Sequence, residues 1–308
     1  MPRGGNAMTA LLTLEHVVKA YPLARGRRDR GETATVVAGA PWGRARATTR
    51  ALDDVSLAVG EGEAVGLVGE TGCGKSTLAR VALGLESPTS GTIRYRDRDV
   101  TRARGPQRKA LARERQLVFQ DPAGSLNPRR TIGASVAEPF AIHGLLPDRR
   151  ARRRRVEELL EQVGLDPRHH DRFPHELSGG QRQRVGIARA VALGPRLLVA
   201  DEPVSALDVS IQAQILNLLE ELRRELGLAL LLISHDLAVV RHACERIVVM
   251  RDGRIVEQAG VDELFAAPRE PYTRELLAAI PRLPLAAARG SASAAAEAQP
   301  SSSSSSST

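Results

Sequence analysis

The chain is poor in the residues that staple a fold or anchor it in a bilayer. It has two cysteines, Cys73 and Cys244, in 308 residues. That is too few for a disulfide framework, and a reducing compartment is expected. No apolar run approaches the roughly 18 residues of a bilayer-spanning helix; the longest, residues 228–233, has the length of a strand. No stretch of signal-peptide kind precedes Glu15, so a soluble cytoplasmic protein, able to dock on a membrane partner, is expected. Aromatic residues make up 3% of the chain, and lysine occurs only at 19, 75 and 109, so the net charge of +8 rests on arginine. A basic balance permits nucleic acid or anionic lipid as partner. Arginine bias this strong more often reflects genome composition, and it is discounted here. A chain of this length can bury one large core or two modest ones.

Against that background stands Gly69-Glu70-Thr71-Gly72-Cys73-Gly74-Lys75-Ser76-Thr77, which satisfies the phosphate-loop pattern G-x-x-x-x-G-K-S/T at each fixed position. Residues 63–68 before it read as a buried strand, and residues 78–83 after it as the first turns of a helix. The glycines let successive N–H groups turn toward phosphate oxygens. The helix start adds the positive end of its dipole. Lys75 would reach the β- and γ-phosphates, and the Ser76 hydroxyl would take one position on Mg²⁺. All nine residues are candidate nucleotide contacts.

In chain order, residues 11–22 predict an edge strand ending at Pro22. Residues 24–50, rich in Arg, Gly and Thr, predict a long exposed basic insertion. Strand patterning resumes at 51–59 and 63–68, and again at 91–95. Residues 104–115 predict a basic helix. Residues 116–120 predict a strand that delivers Gln120 to a loop, where two prolines and a glycine within 121–128 argue against regular structure. Helices are expected within 131–170, among them 149–162, with Val156, Leu159, Leu160 and Val163 at helical spacing. The arginine-rich run at 149–155 reads as a solvated helix start, with lipid headgroup contact as the alternative. Ser178 suits the cap of a helix over 182–193. Residues 196–202 predict a buried strand ending in Asp201 and Glu202. Ser205-Ala206-Leu207-Asp208 opens a further helix to about 226, and 228–233 predicts a strand ending just before His235. Arg251-Asp252-Gly253 predicts a hairpin turn. Beyond about residue 285 the composition collapses to Ala and Ser, which predicts a disordered tail over 286–308.

With the phosphate loop granted, the two carboxylates gain mechanical roles. Asp201 would hold Mg²⁺, usually through water, and Glu202 would polarise the attacking water. Gln120, His235 and Ser178-Gly179-Gly180-Gln181 say little alone: a polar residue after a strand, a histidine satisfied by backbone, a helix cap. Their joint order and spacing decide.

Together, the phosphate loop, Gln120, Leu177-Ser178-Gly179-Gly180-Gln181, residues 197–202, residues 205–208 and His235 resemble the ATP-binding cassette of ABC transporters. The resemblance covers about residues 11–282. It implies an α/β fold, a P-loop NTPase core of ABC type with an antiparallel β subdomain and a helical subdomain at about 121–176. The cassette would occupy residues 1–262 and a C-terminal extension 263–285. Gln120 would lie in the Q-loop and contact the metal with Ser76 and Asp201. Asp208 would lie in the D-loop, and His235 would be the switch histidine acting beside Glu202. Tyr21 falls where such cassettes place an aromatic on adenine, and base–aromatic stacking is physically reasonable there. Ser178, Gly180 and Gln181 would contact ATP held by an opposing cassette, head to tail. ATP and Mg²⁺ are the implied cofactors.

Finer motifs narrow the resemblance. Val118-Phe119-Gln120-Asp121-Pro122 with Ser125-Leu126-Asn127-Pro128, and Asp208-Val209-Ser210-Ile211-Gln212-Ala213-Gln214, are similar to the oligopeptide/dipeptide importer ATPases. Pro271-Tyr272-Thr273-Arg274-Glu275-Leu276-Leu277 is similar to that subfamily's extension. Residues 178–184 are closer to the second of its two paired ATPase subunits. Members often have His where this chain has Glu270. Some carry an iron–sulfur cluster on cysteines of the extension, which has none here, so no cluster is expected.

The resemblance implies peripheral placement on the cytoplasmic face of the membrane. The partners would be two membrane-spanning permease subunits and a second ATPase subunit, a paralogue or another copy. An extracytoplasmic solute-binding protein would act indirectly, and no nucleic acid would bind. The expected activity is ATP hydrolysis coupled to peptide uptake, with nickel or another small solute as alternative cargo. A rival class, cassettes acting on DNA or ribosomes, commonly carries a coiled coil between phosphate loop and signature, or two cassettes in one chain; neither pattern occurs here. An exporter ATPase is disfavoured by the matches at 125–128 and 271–277.

Overall fold

Unbroken apolar strands need cover on both faces, while alternating ones need it on one. The strands sort into two sheets on that basis. In the computed structural model, which describes residues 10–22 and 48–279, they are β1 (Ala10–Pro22), β2 (Thr48–Gly60), β3 (Ala64–Val68), β4 (Ser90–Tyr95), β5 (Arg98–Asp99), β6 (Arg115–Val118), β7 (Leu197–Asp201), β8 (Ala229–Ser234), β9 (Arg246–Arg251) and β10 (Arg254–Gly260). The helices are α1 (Lys75–Ala82), α2 (Gly105–Glu114), α3 (Pro122–Ser125), α4 (Ile132–His143), α5 (Arg149–Gln162), α6 (Gly179–Val191), α7 (Val209–Leu226), α8 (Leu237–Ala243), α9 (Val261–Ala266) and α10 (Pro271–Ala278).

One sheet is antiparallel, in the order β2-β1-β4-β5. The other runs β10-β9-β3-β8-β7-β6 and is parallel except for the β9–β10 hairpin. In β8, Leu230 and Leu232 join a core shared with α4, α5, α6 and α7, whereas Leu231 and Ile233 face a second core with α1 and the antiparallel sheet. Period-two alternation thus places the large sheet between two hydrophobic layers. Val156, Leu159, Leu160 and Val163 of the α5 region lie in the first of these cores, as their helical spacing predicts.

Four local expectations need correction. The first strand is central, because β1 pairs with β2 on one side and β4 on the other. Pro22 is tolerated because pairing with β4 ends at Val18–Ser90, which leaves that side of the strand free of a ladder. Between Asp121 and Pro128 the chain forms the one-turn helix α3, whose first residue is Pro122, where a missing N–H costs nothing. The helix expected over 182–193 starts instead at Gly179 and ends at Val191, because Ser178 caps it directly. The basic helix also stops one residue short, and Arg115 opens β6. Most of the insertion at 24–50 and all of the tail at 286–308 lie outside the described residues; residues 48–50 open β2. The hairpin at 251–253 forms as expected, with positive φ at Asp252 (48°) and Gly253 (79°).

Candidate nucleotide site

Strand register brings the site together. β6, β7, β8 and β3 are parallel neighbours, paired at their C-terminal ends through Val118–Ala200, Asp201–Ile233 and Val68–Ser234. The residues that follow are Gln120, Glu202, His235 and the loop from Gly69, so all emerge along one edge. In parallel sheets this edge is where ligands bind.

The loop's glycines are demanded by crowding. Gly69 has φ 151°, and a Cβ there would stand 2.1 Å from the Met250 carbonyl oxygen. Gly74 has φ 108°, with a Cβ 2.3 Å from the Ala51 carbonyl oxygen. Any side chain at either position would push the loop off the strands behind it. The hairpin turn also grips it, through the Gly253 N–H donating to the Cys73 carbonyl at 3.0 Å. The buried Lys75 folds back over the loop, donating to the Gly69 and Glu70 carbonyls at 2.7 and 2.8 Å. α1 opens at Lys75 with no acidic residue in its first turn, a favourable place for an anion. Burial pushes the Cys73 thiol above its ordinary pKa, so it is packing rather than a nucleophile.

Beside the loop, the Ser76 hydroxyl donates to Asp201 Oδ1 at 3.3 Å. Burial raises the Asp201 carboxyl above its usual range; the Ser76 bond pulls it down, and Glu202 adds to the rise. A half-buried carboxylate, a hydroxyl and the free amide oxygen of Gln120 are the hard oxygen donors that suit Mg²⁺.

Glu202 itself has φ 46°, a left-handed conformation costly for a residue with a Cβ. It is held there by its N–H donating to the Ile233 carbonyl at 3.0 Å, while its own carbonyl accepts from the Ser205 hydroxyl at 3.2 Å. The twist leaves its carboxylate between two partners. Gln120 Nε2 donates to Oε2 at 2.9 Å, and His235 Nδ1 lies 3.4 Å from Oε1. A carboxylate so fixed can orient and deprotonate a water.

Tyr21 lies at the rim. Its hydroxyl donates to Glu86. Burial and the Glu86 carboxylate raise the phenol's pKa and keep it neutral. Lys19 Nζ sits 5.0 Å from the ring centroid.

The remaining predicted residues form a separate group. Ser178 and Gln181 make a reciprocal capping box: Ser178 Oγ accepts from the Gln181 N–H at 3.3 Å, and Gln181 Oε1 accepts from the Ser178 N–H at 2.9 Å. Gly180 touches the start of α7, where a Cβ would stand 2.6 Å from Ile211 Cγ2. Asp208 caps α7 with its backbone and leaves its side chain exposed. These residues sit at the starts of α6 and α7.

Sequence reasoning missed several supports. Glu86 anchors Tyr21. Arg189 lies over the Phe119 ring at 5.9 Å and donates to the Ser125 carbonyl at 2.7 Å, bracing the segment that carries Gln120. In an arginine-rich chain nothing marks one such residue. Tyr272 falls in a recognised motif, yet its contact with Glu70 could not be read from spacing.

The phosphate cradle, the carboxylate pair at a strand end and the separate serine-capped helix define an ATP-binding cassette. The family model for ABC transporters matches residues 52–205. The oligopeptide transport ATP-binding protein OppF of Bacillus subtilis is 50% identical over 238 residues, covering 77% of this chain and 78% of that protein. The di/tripeptide transport ATP-binding protein DppF of Pseudomonas aeruginosa is 45% identical over 276 residues, covering 90% and 80%. Among solved structures, the cassette MJ0796, dimeric in a post-hydrolysis state with ADP and Pi, superposes with a TM-score of 0.68 at 29% identity, covering 81% of this chain and 98% of that one. The chain therefore belongs to the ABC transporter family, among the ATP-binding subunits of oligopeptide and dipeptide importers.

Proposed function

We propose that this chain hydrolyses ATP to drive uptake of di- and oligopeptides through a membrane importer, as a peripheral subunit on the cytoplasmic face. The observation that carries the reading is Glu202, strained and fixed between Gln120 and His235 beside the Ser76–Asp201 pair. Lys75 would leave the loop carbonyls for the β- and γ-phosphates. Glu202 would take the proton of the attacking water, with His235 and Gln120 holding its carboxylate in line. Tyr21 would stack on the base. Mg²⁺, held by Ser76, Asp201 and Gln120, would neutralise charge on the phosphates. Peptide cargo is supported by the relatives' transport of oligopeptides and di/tripeptides.

The exposed signature residues support a two-cassette arrangement. Ser178, Gly180 and Gln181 at the start of α6, with Asp208, would complete the site of a second cassette, a paralogue or another copy. Among the described residues no helix is long and apolar enough to cross a membrane, so translocation falls to permease partners. A groove of about 810 Å³ between α1, β6 and α4 carries the exposed apolar side chains Leu85, Phe119 and Ile142. It suits an apolar permease segment, and Gln120 on its wall would carry the movement to Glu202.

The test is ATP binding. Lys75→Ala should weaken it at least roughly 100-fold, the worth of two charge-assisted hydrogen bonds, in titrations with a fluorescent ATP analogue. Normal binding and hydrolysis by that variant would remove the nucleotide reading.

A further inference from the structure

The C-terminal extension touches the loop that the proposed function places around phosphate. The Glu70 N–H donates to the Tyr272 hydroxyl at 3.1 Å, across 202 positions of sequence. Tyr272 is 5% exposed, and the Arg251 guanidinium lies 4.7 Å from its ring centroid. The segment carrying it is clamped from the other side. The buried Glu257 carboxylate of β10 accepts the Arg269 N–H at 2.8 Å and the Glu270 N–H at 3.2 Å, just before α10 begins. The ring therefore reaches the loop from a fixed base.

The backbone of Glu70 is a node. Its carbonyl accepts the Lys75 ammonium at 2.8 Å and the Cys73 N–H at 3.3 Å, while its N–H goes to Tyr272. If Lys75 turns to phosphate, the loop loses the cation that bridges the Gly69 and Glu70 carbonyls. The Tyr272 hydroxyl, the Gly253–Cys73 bond and the Cys73–Glu70 turn then hold the loop's near side in register. We propose that Tyr272 is a positioning residue for the nucleotide: the C-terminal extension braces the phosphate loop through the Glu70 amide, so its docking tunes ATP affinity. This rests on the nucleotide reading above.

Tyr272→Phe in the full chain removes the hydroxyl and keeps the ring. Hydrogen exchange of the nucleotide-free protein should then speed up at residues 69–71 and stay unchanged in β9 and β10. The Kd for the fluorescent ATP analogue should rise roughly three- to tenfold, the scale of one neutral hydrogen bond, with a larger effect on the ATP KM than on kcat. A merely structural tyrosine would lower the Tm and leave Kd and the exchange at 69–71 unmoved; that result overturns the brace. The two readings fail separately. If the wild-type chain binds ATP in a Lys75-dependent way and Tyr272→Phe matches it, the brace alone is wrong. If the wild-type chain binds no ATP, the nucleotide reading falls and the proposed tuning of affinity falls with it.

Discussion

The strand edge and the signature helix are built differently, although both serve one proposed chemistry. At the edge, Lys75 is buried, Ser76, Asp201 and Glu202 are half-buried, and the exposed Gln120 and His235 both close on Glu202. At the start of α6, Ser178 and Gln181 satisfy only each other, and Ser178 faces solvent. Four parallel strands in register bring the first group together. The second is a helix cap whose two glycines keep a small, open surface. One group is cross-linked within the chain, and the other, in the proposed two-cassette arrangement, would complete the site of a partner.

The sharpest test of the cross-linked group is Glu202→Gln. It should keep ATP binding and slow hydrolysis by roughly 10²–10⁴-fold, the usual worth of a positioned general base, in single-turnover assays. Turnover at the normal rate would move the base elsewhere. The second group is tested by Ser178→Arg, which fills the helix start with a bulky cation. In mixtures where one partner alone carries an intact Glu202, hydrolysis at the partner's Lys75 site should fall by roughly 10²-fold, the scale of a lost preorganised donor. ATP binding at the variant's own loop should persist. Damage confined to its own loop would sink the head-to-tail arrangement. The smallest of these effects belongs to Gln120→Ala. Removing the hydrogen bond to Glu202 should cost about tenfold in kcat, within the range for a bond to a charged group, and Asp201 and Ser76 should bind Mg²⁺ more weakly. Unchanged kcat at saturating Mg²⁺ would show that His235 alone orients the carboxylate.

Much of this was legible in the primary structure because short motifs carry their own physics. The glycines, Lys75 and Ser76 are contiguous, and only such residues make an anion cradle at a helix start. The carboxylates follow an unbroken apolar run, which has to be a buried strand. Ser178 with Gln181 is a capping box at its natural spacing. Where the reading of the residues failed, a strand neighbour distant in sequence or the exact position of a proline decided. Pro22 suggested an edge, but pairing with β4 makes β1 central and stops short of the proline. Prolines at 122 and 128 suggested irregular chain, yet Pro122 falls at a first helical position, where it does no harm.

The sequence by itself determined which chemical groups make up the candidate site, because residue type and local spacing set which groups can bind phosphate, hold a cation or move a proton. The tertiary structure alone decided who holds whom. Strand order placed Gln120 on Glu202 across 82 positions, and the docking of α10 placed Tyr272 on Glu70 across 202. A left-handed turn at Glu202, affordable only because Ile233 and Ser205 secure it, aimed the carboxylate. Such contacts depend on packing between segments that share no local signal, so spacing along the chain could not contain them.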